Sequence, residues 1–264
     1  LSPRYSFTKG YWSPVIFGSD NPIQNFIQSH MNSKNLIPLR GPINKKTLSC
    51  NEDGVRRIIN NDKYGFKNLN SIYEKKIKVL LIGDSVTEGY CYDENNDIAG
   101  VLRNKFRINT ANLGISGGGP LLSLASLKEY GTNFKPDFVF YLYAETSDMG
   151  DLKNEKETFL INYLDDFSQN LINRNDEINL FFKDYENIAY KFMEERLVED
   201  YNKFDVMEKE IKKSTKNKKI EIVKDFFELQ KVKKLFLTES FFNQNKNSID
   251  KELFTRVLKK MKLE

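Results

Sequence analysis

Between residues 76 and 150 the apolar positions fall into an alternation of strand and helix patterns. Ile77-Lys78-Val79-Leu80-Leu81-Ile82 is an almost unbroken apolar run, the signature of a strand buried on both faces. Asp97–Arg107 has helical spacing, with Ile98, Val101, Leu102 and Phe106 on one side. Ile108 to Leu113 predicts a second short strand that ends at Gly114. Leu121–Tyr130 predicts a second helix, apolar at Leu121, Leu122, Leu124, Ala125 and Leu127. Phe138–Tyr143 predicts a third strand, introduced by the turn formers Pro136-Asp137. Strands joined through helices imply right-handed crossovers, and hence an α/β domain built on a parallel sheet.

The flanks read differently. Residues 1–75 are irregular and rich in turn formers, including Ser13-Pro14, Asn21-Pro22 and Gly41-Pro42, and are expected to form a lead-in that packs on the core. Ile23–Met31 predicts one short helix and Cys50–Gly54 a tight turn. Val55–Ile59 followed by Asp62–Phe66 predicts a strand and a turn, in the manner of a hairpin. Residues 151–264 contain no glycine or proline and read as several amphipathic helices, with Phe159, Leu160, Tyr163, Leu164 and Phe167 at helical spacing. Ile188, Phe192, Leu197 and Tyr201 recur less regularly, Phe226, Phe227, Leu229 and Val232 form a further apolar cluster, and Lys212–Lys219 reads as a solvated loop. Three segments result: a lead-in over 1–75, an α/β core over 76–150, and a helical insertion over 151–264 that follows the third strand. The insertion is expected to lean on the sheet domain near the site, because stripes such as Phe159-Tyr163-Phe167 need a surface to cover them.

Composition narrows the partners. Over 264 residues the chain is 39% hydrophobic and 30% charged, with a net charge of +4. Acidic and basic residues are interleaved, which argues against a nucleic-acid partner. No apolar run approaches the roughly 18 residues of a membrane span, and no signal peptide is recognisable. The sequence decides neither location nor oligomeric state. The two cysteines, Cys50 and Cys91, have no metal-ligand spacing around them and are expected to be reduced thiols. The other reading is one disulfide, which would imply an oxidising compartment.

The chemistry concentrates at strand ends. Gly83-Asp84-Ser85 directly follows the first strand, which delivers a hydroxyl to the carboxyl edge of the sheet, where open α/β folds place their sites. A serine hydroxyl needs a base to become a nucleophile, and the only histidine is His30, far back in the lead-in and read as solvated or capping. Gly117-Gly118-Gly119 before a helix would also suit a phosphate cradle, but no Walker lysine follows and Pro120 removes one N–H donor. The acidic loop Asp93–Asp97 lacks the glycine and terminal glutamate of an EF-hand; Asn96 or Asp97 is expected to cap the following helix.

These residues, in this order, resemble the SGNH, or GDSL-type, hydrolases. Gly83-Asp84-Ser85 is similar to the family's first block. Asn112-Leu113-Gly114-Ile115-Ser116-Gly117 is similar to its second, and Glu145-Thr146-Ser147-Asp148 stands at its third. The resemblance implies a three-layer α/β/α, flavodoxin-like parallel sheet carrying a large helical C-terminal insertion. It implies a serine-dependent acyl-ester hydrolase or acyltransferase, with a small-molecule or carbohydrate ester such as an O-acetyl sugar as substrate and no cofactor or metal. Ser85 would be the nucleophile. The N–H groups of Ser85 and Gly117 would form the oxyanion hole, joined by Ser147, which stands where the family usually has asparagine. Asp84 and Asp148 would support them. The stretch Gly41–Lys45 through Asp62–Phe66 is similar to a lead-in of some bacterial envelope-associated members. The family's final Asp-x-x-His block has no match, so the chain as it stands is expected to turn over little ester, either because it is a fragment that ends before that block, which is the favoured reading, or because it is a catalytically inactive binding module.

Overall fold

The computed structural model describes residues 26, 29–30, 32–48, 58–145, 147–185, 187–188 and 248–264. The chain divides into two compact units, Leu1–Glu186 with Ser248–Glu264, and Asn187–Asn247. In the second unit residues 187–188 are described, and both are helical. The readings made for Phe192, Leu197, Tyr201, Lys212–Lys219 and Phe226–Val232 lie outside the described residues.

The first unit is a mixed α/β structure centred on a parallel three-stranded sheet. Strand β3 (Val79–Gly83) lies in the middle, between β4 (Thr110–Asn112) and β5 (Phe138–Leu142). Val79 is opposite Thr110 on one side and Phe138 on the other. All five β3 residues are buried, as the apolar run requires. Val79 and Leu81 pack with Ala99 and Leu102 of helix α2 (Ile98–Lys105), together with Ile108 and Leu142. The intervening Leu80 points the other way, toward Leu127 and Gly131 at the end of helix α3 (Pro120–Ser126), so helices cover both faces of the central strand. Alternation of side chains along β3 therefore divides one apolar run between two helical layers.

The local chemistry accounts for the helix boundaries. Asp97 caps α2, its carboxylate accepting from Gly100 N at 2.6 Å, as the acidic loop implied. Helix α3 starts with Pro120 in its first turn, where no N–H is needed, and passes through a wider π turn at Leu127–Gly131 into Thr132–Phe134. Tyr130 in that turn is buried edge-on against Phe66 of the lead-in, ring centroids 5.1 Å apart.

Before the core, β1 (Lys46–Leu48) and β2 (Ile58–Asn60) pair antiparallel, so the expected strand near Ile59 is present, with its partner upstream. Residues 29–30 and 32–34 are helical, which overlaps the short helix expected at Ile23–Met31. Downstream lie α4 (Asp148–Glu155), α5 (175–185) and α6 (Ser248–Leu263). Helix α6 packs on α3 and α4, burying Val257, and Asp250 pairs with Lys156 at 3.0 Å. The expected helix through Phe167 is instead a short 3-10 turn, Phe159–Leu164, that buries Leu160 and Tyr163. Three residues per turn bring those two positions onto one line, so the apolar spacing suits the tighter helix as well as the α-helix. Among the described residues, no helix is long and apolar enough to cross a membrane.

The thiol expectation is corrected. Cys91 is disulfide-bonded, and the expectation for Cys50 lies outside the described residues.

Candidate active site

The carboxyl end of β3 runs into Gly83, Asp84 and the four-residue helix α1 (Ser85–Glu88). Gly83 is obligatory: its φ is +149°, and a Cβ there would meet Thr87 Oγ1 at 2.2 Å and the Leu142 carbonyl at 2.8 Å. Asp84 caps α1, one carboxylate oxygen accepting from Val86 N at 2.9 Å. The turn closes at Gly89 in the left-handed region, φ +65°. Ser85 is thus held at a sharp strand-to-helix turn and is only partly buried.

The other two strands bring their ends to the same edge. Asn112, the last residue of β4, is buried and donates its side-chain N–H to Thr87 O at 2.7 Å, while its side-chain Oδ1 accepts from Gly114 N at 2.8 Å. One side-chain amide therefore joins the Ser85 turn to the glycine loop. Ile115 N donates to Gly83 O at 3.0 Å. Gly117 is exposed and has φ +73°, a conformation that favours glycine at this position of the loop. Ser147 follows β5, and its hydroxyl donates to the second oxygen of Asp84 at 3.3 Å. That spends the one hydrogen a serine hydroxyl can donate. Asp148 accepts from Tyr141 OH at 2.7 Å and Ala144 N at 3.0 Å, so it fastens the turn that presents Ser147. Burial, offset by these donors and reinforced by the charge of Asp84, holds the Asp148 carboxyl above its ordinary range.

Three acidic residues near the site carried no sequence signal. Glu88, at the end of α1, is fully buried. Its carboxylate accepts from Ser116 N at 2.7 Å and from Arg40 Nη2 at 2.5 Å. Glu155 of α4 accepts from Gly119 N at 2.7 Å, Leu121 N at 2.9 Å and Leu122 N at 3.3 Å. Its carboxylate therefore fills the N-terminus of α3, the position a bound phosphate would take after a glycine loop. This internal carboxyl group takes the N–H donors that the phosphate-cradle reading needed. Burial pushes the Glu155 carboxyl up to about 8 against the pull of its three N–H donors. Asp151, one turn earlier on α4, lies against Gly119 and is pushed up to about 6 by burial and then by the charges of Asp148 and Asp84. Residues beyond 150 thus reach the glycine loop directly.

Asp151 gives a pH dependence with a defined sign. Its folded pKa lies above its unfolded value, so its contribution is fully present below about pH 4 and is lost as the pH rises through 6. Asp151→Asn is expected to leave stability unchanged at pH 4 and to raise it at pH 8 by about 1 kcal/mol, discounted for partial exposure. Urea unfolding of both proteins across that range measures the difference; equal stability at pH 8 contradicts it.

His30 sits elsewhere in these contacts. Its ring packs on Phe26 at 4.2 Å and edge-on against Phe181 at 5.2 Å. Among the described residues, no group of three or more His, Cys, Asp or Glu side chains is arranged to hold a metal ion.

No protein-family model, curated protein or solved structure matches this chain.

Proposed function

We propose that this chain carries the nucleophile and oxyanion elements of an SGNH-type serine acyl-ester hydrolase or acyltransferase, in a three-layer α/β/α fold with a helical insertion after β5. The observation that supports the reading best is the convergence of three separated sequence blocks. Asp84-Ser85, Ser116-Gly117 and Ser147-Asp148 follow the carboxyl ends of β3, β4 and β5, and are cross-linked there by the Ser147–Asp84 and Ser116–Glu88 hydrogen bonds. In acyl transfer the Ser85 oxygen attacks the ester carbonyl, and the N–H groups of Ser85 and Gly117 stabilise the developing oxyanion. One such donor is worth about 10²–10³ in rate. Ser147 contributes to that hole only if its hydroxyl leaves Asp84. A small O-acylated molecule or carbohydrate is the substrate class the family resemblance suggests. The Cys91 disulfide is the chemistry of an oxidising compartment and fits an envelope-associated setting.

The sequence contains one histidine, and His30 is engaged with two phenylalanines, so Ser85 has no histidine base from this sequence. This makes the test direct. Without a base both acylation of Ser85 and its hydrolysis are slow, but p-nitrophenolate leaves without needing a proton, so over a long incubation the first step proceeds while water attack lags and the acyl-serine accumulates. Incubation with p-nitrophenyl acetate followed by peptide mass mapping is expected to find one acetyl group on Ser85, absent from Ser85→Ala. Acetylation confined to lysines, identical in both proteins, would reject the acyl-transfer reading and leave the inactive binding module, for which affinity toward an O-acetylated sugar is unchanged in Ser85→Ala.

A further inference from the structure

Two lead-in cations reach the turn that carries Ser85. The Arg40 and Glu88 side chains are 2% and 0% exposed, and they meet at 2.5 Å. Lys67, equally buried, donates to the carbonyls of Gly89 at 2.7 Å and Tyr92 at 2.6 Å, and lies 3.2 Å from Asp97. Together they hold the whole segment from α1 to the start of α2. Glu88 does more than pair with Arg40. Its second oxygen takes the N–H of Ser116, the residue immediately before Gly117. A single carboxylate thus spans from the helix that begins with Ser85 to the loop that presents the oxyanion donor.

Burying this pair has a cost that packing alone does not explain. Two ions removed from water are only weakly stabilising as a pair, and apolar residues of similar size commonly do as well or better. What apolar residues cannot do is accept the Ser116 N–H. We propose that Glu88, oriented by Arg40, is a positioning residue that sets Gly117 N–H against the carbonyl attacked by Ser85; the inference rests on the acyl-transfer reading above. The lead-in is then part of the site's frame and not merely a cover for the core. A displacement of about 1 Å at a reacting geometry costs on the order of 10² in rate, so the expected effect of losing this tether is a 10²-fold slower acylation of Ser85, to order of magnitude.

The deciding variant is the full-length chain with Arg40→Met and Glu88→Leu together. It removes both charges at once and avoids leaving either ion buried alone. Three measurements are made: thermal unfolding, the rate of Ser85 acetylation by p-nitrophenyl acetate, and amide hydrogen exchange at Ser116 and Gly117. The expected result is a folded protein of near-parental stability whose acetylation slows about 10²-fold, with faster exchange confined to residues 115–118. Parental acetylation rate and parental exchange in that folded variant overturn the proposal. If the double variant does not fold, Glu88→Gln decides by the same two readouts, since its one amide oxygen stays with the charged Arg40 and its N–H₂ then faces the Ser116 N–H, which removes the tether. If the parent chain is not acetylated at Ser85, the acyl-transfer reading fails by itself; exchange at Ser116 and Gly117 then still reports whether Glu88 holds the loop, and unchanged exchange overturns that role too.

Discussion

Glu129→Ala is expected to lower stability by about 4 kcal/mol or more. Glu129 lies in the π turn after α3 and is buried. One carboxylate oxygen accepts from Tyr163 OH at 2.8 Å, Ser168 Oγ at 3.0 Å and Gln169 N at 2.5 Å; the other accepts from Leu171 N at 2.8 Å. The carboxylate is the point to which residues 163–171 are fastened. Hydrogen bonds to a charged group contribute about 1.5–3 kcal/mol each, and stranded buried donors cost about 1–3 kcal/mol. These are not additive, but Gln169 N and Leu171 N alone account for several kcal/mol out of a total near 5–15 kcal/mol for a native domain. Glu129→Gln sorts the contributions. With its oxygen toward Tyr163, Ser168 and Gln169 it keeps three partners and turns an amide N–H₂ on the Leu171 donor, an expected loss of about 1–3 kcal/mol. Urea unfolding at pH 7 with the disulfide intact measures both variants. A cost below about 1 kcal/mol for Glu129→Ala would show that solvent replaces the carboxylate.

The same residue shows where sequence reading ends. The strands were legible because Val79–Ile82 and Phe138–Leu142 are apolar runs bounded by turn formers. The candidate site was legible as a place because Gly83 ends β3, Asp84 and Ser85 stand just past it and Gly117 lies in the loop after β4, where backbone geometry restricts the choice of residue. The helix after Asp97 was legible from its cap. The carboxylates that organise the site were not. In a chain that is 30% charged, Glu88, Glu129 and Glu155 are indistinguishable by type from solvated glutamates. Their partners lie far along the sequence: Arg40 is 48 residues before Glu88, and Glu155 is 36 residues after Gly119. Burial of a charge is decided by tertiary contacts that no local pattern encodes. Strand β5 marks a related limit. Its sequence is as apolar as that of β3, yet it forms the edge of the described sheet, with Phe138 63% and Phe140 52% exposed. Apolar character specifies a strand, whereas its place in the sheet depends on what pairs with it.

Reduction of the Cys91 disulfide is expected to destabilise the protein by about 3–4 kcal/mol. Pairing with Cys50, the other cysteine of the sequence, would close a loop of about 40 residues, and in the chain-entropy account such a loop removes that much freedom from the unfolded state. The loop encloses Asp62, whose carboxylate accepts from Tyr64 N, Phe66 N, Asn68 Nδ2 and Tyr73 OH, and Lys67, which holds the backbone after α1. Tightening the unfolded chain here therefore favours the part of the lead-in that frames Ser85. Three results are expected together. Thiol titration of denatured, unreduced protein is expected to find no free thiol, as Cys91 is disulfide-bonded and Cys50 is the other cysteine of the sequence. Dithiothreitol lowers the urea midpoint of the native chain. Cys50→Ser with Cys91→Ser lowers it by the same amount and abolishes any further response to reductant. Two free thiols per chain in the first measurement would contradict the bond outright. A bond that is present but whose reduction leaves the midpoint unmoved would mean that the reduced chain is already ordered between the two positions before it folds, so that the cross-link has little freedom left to remove.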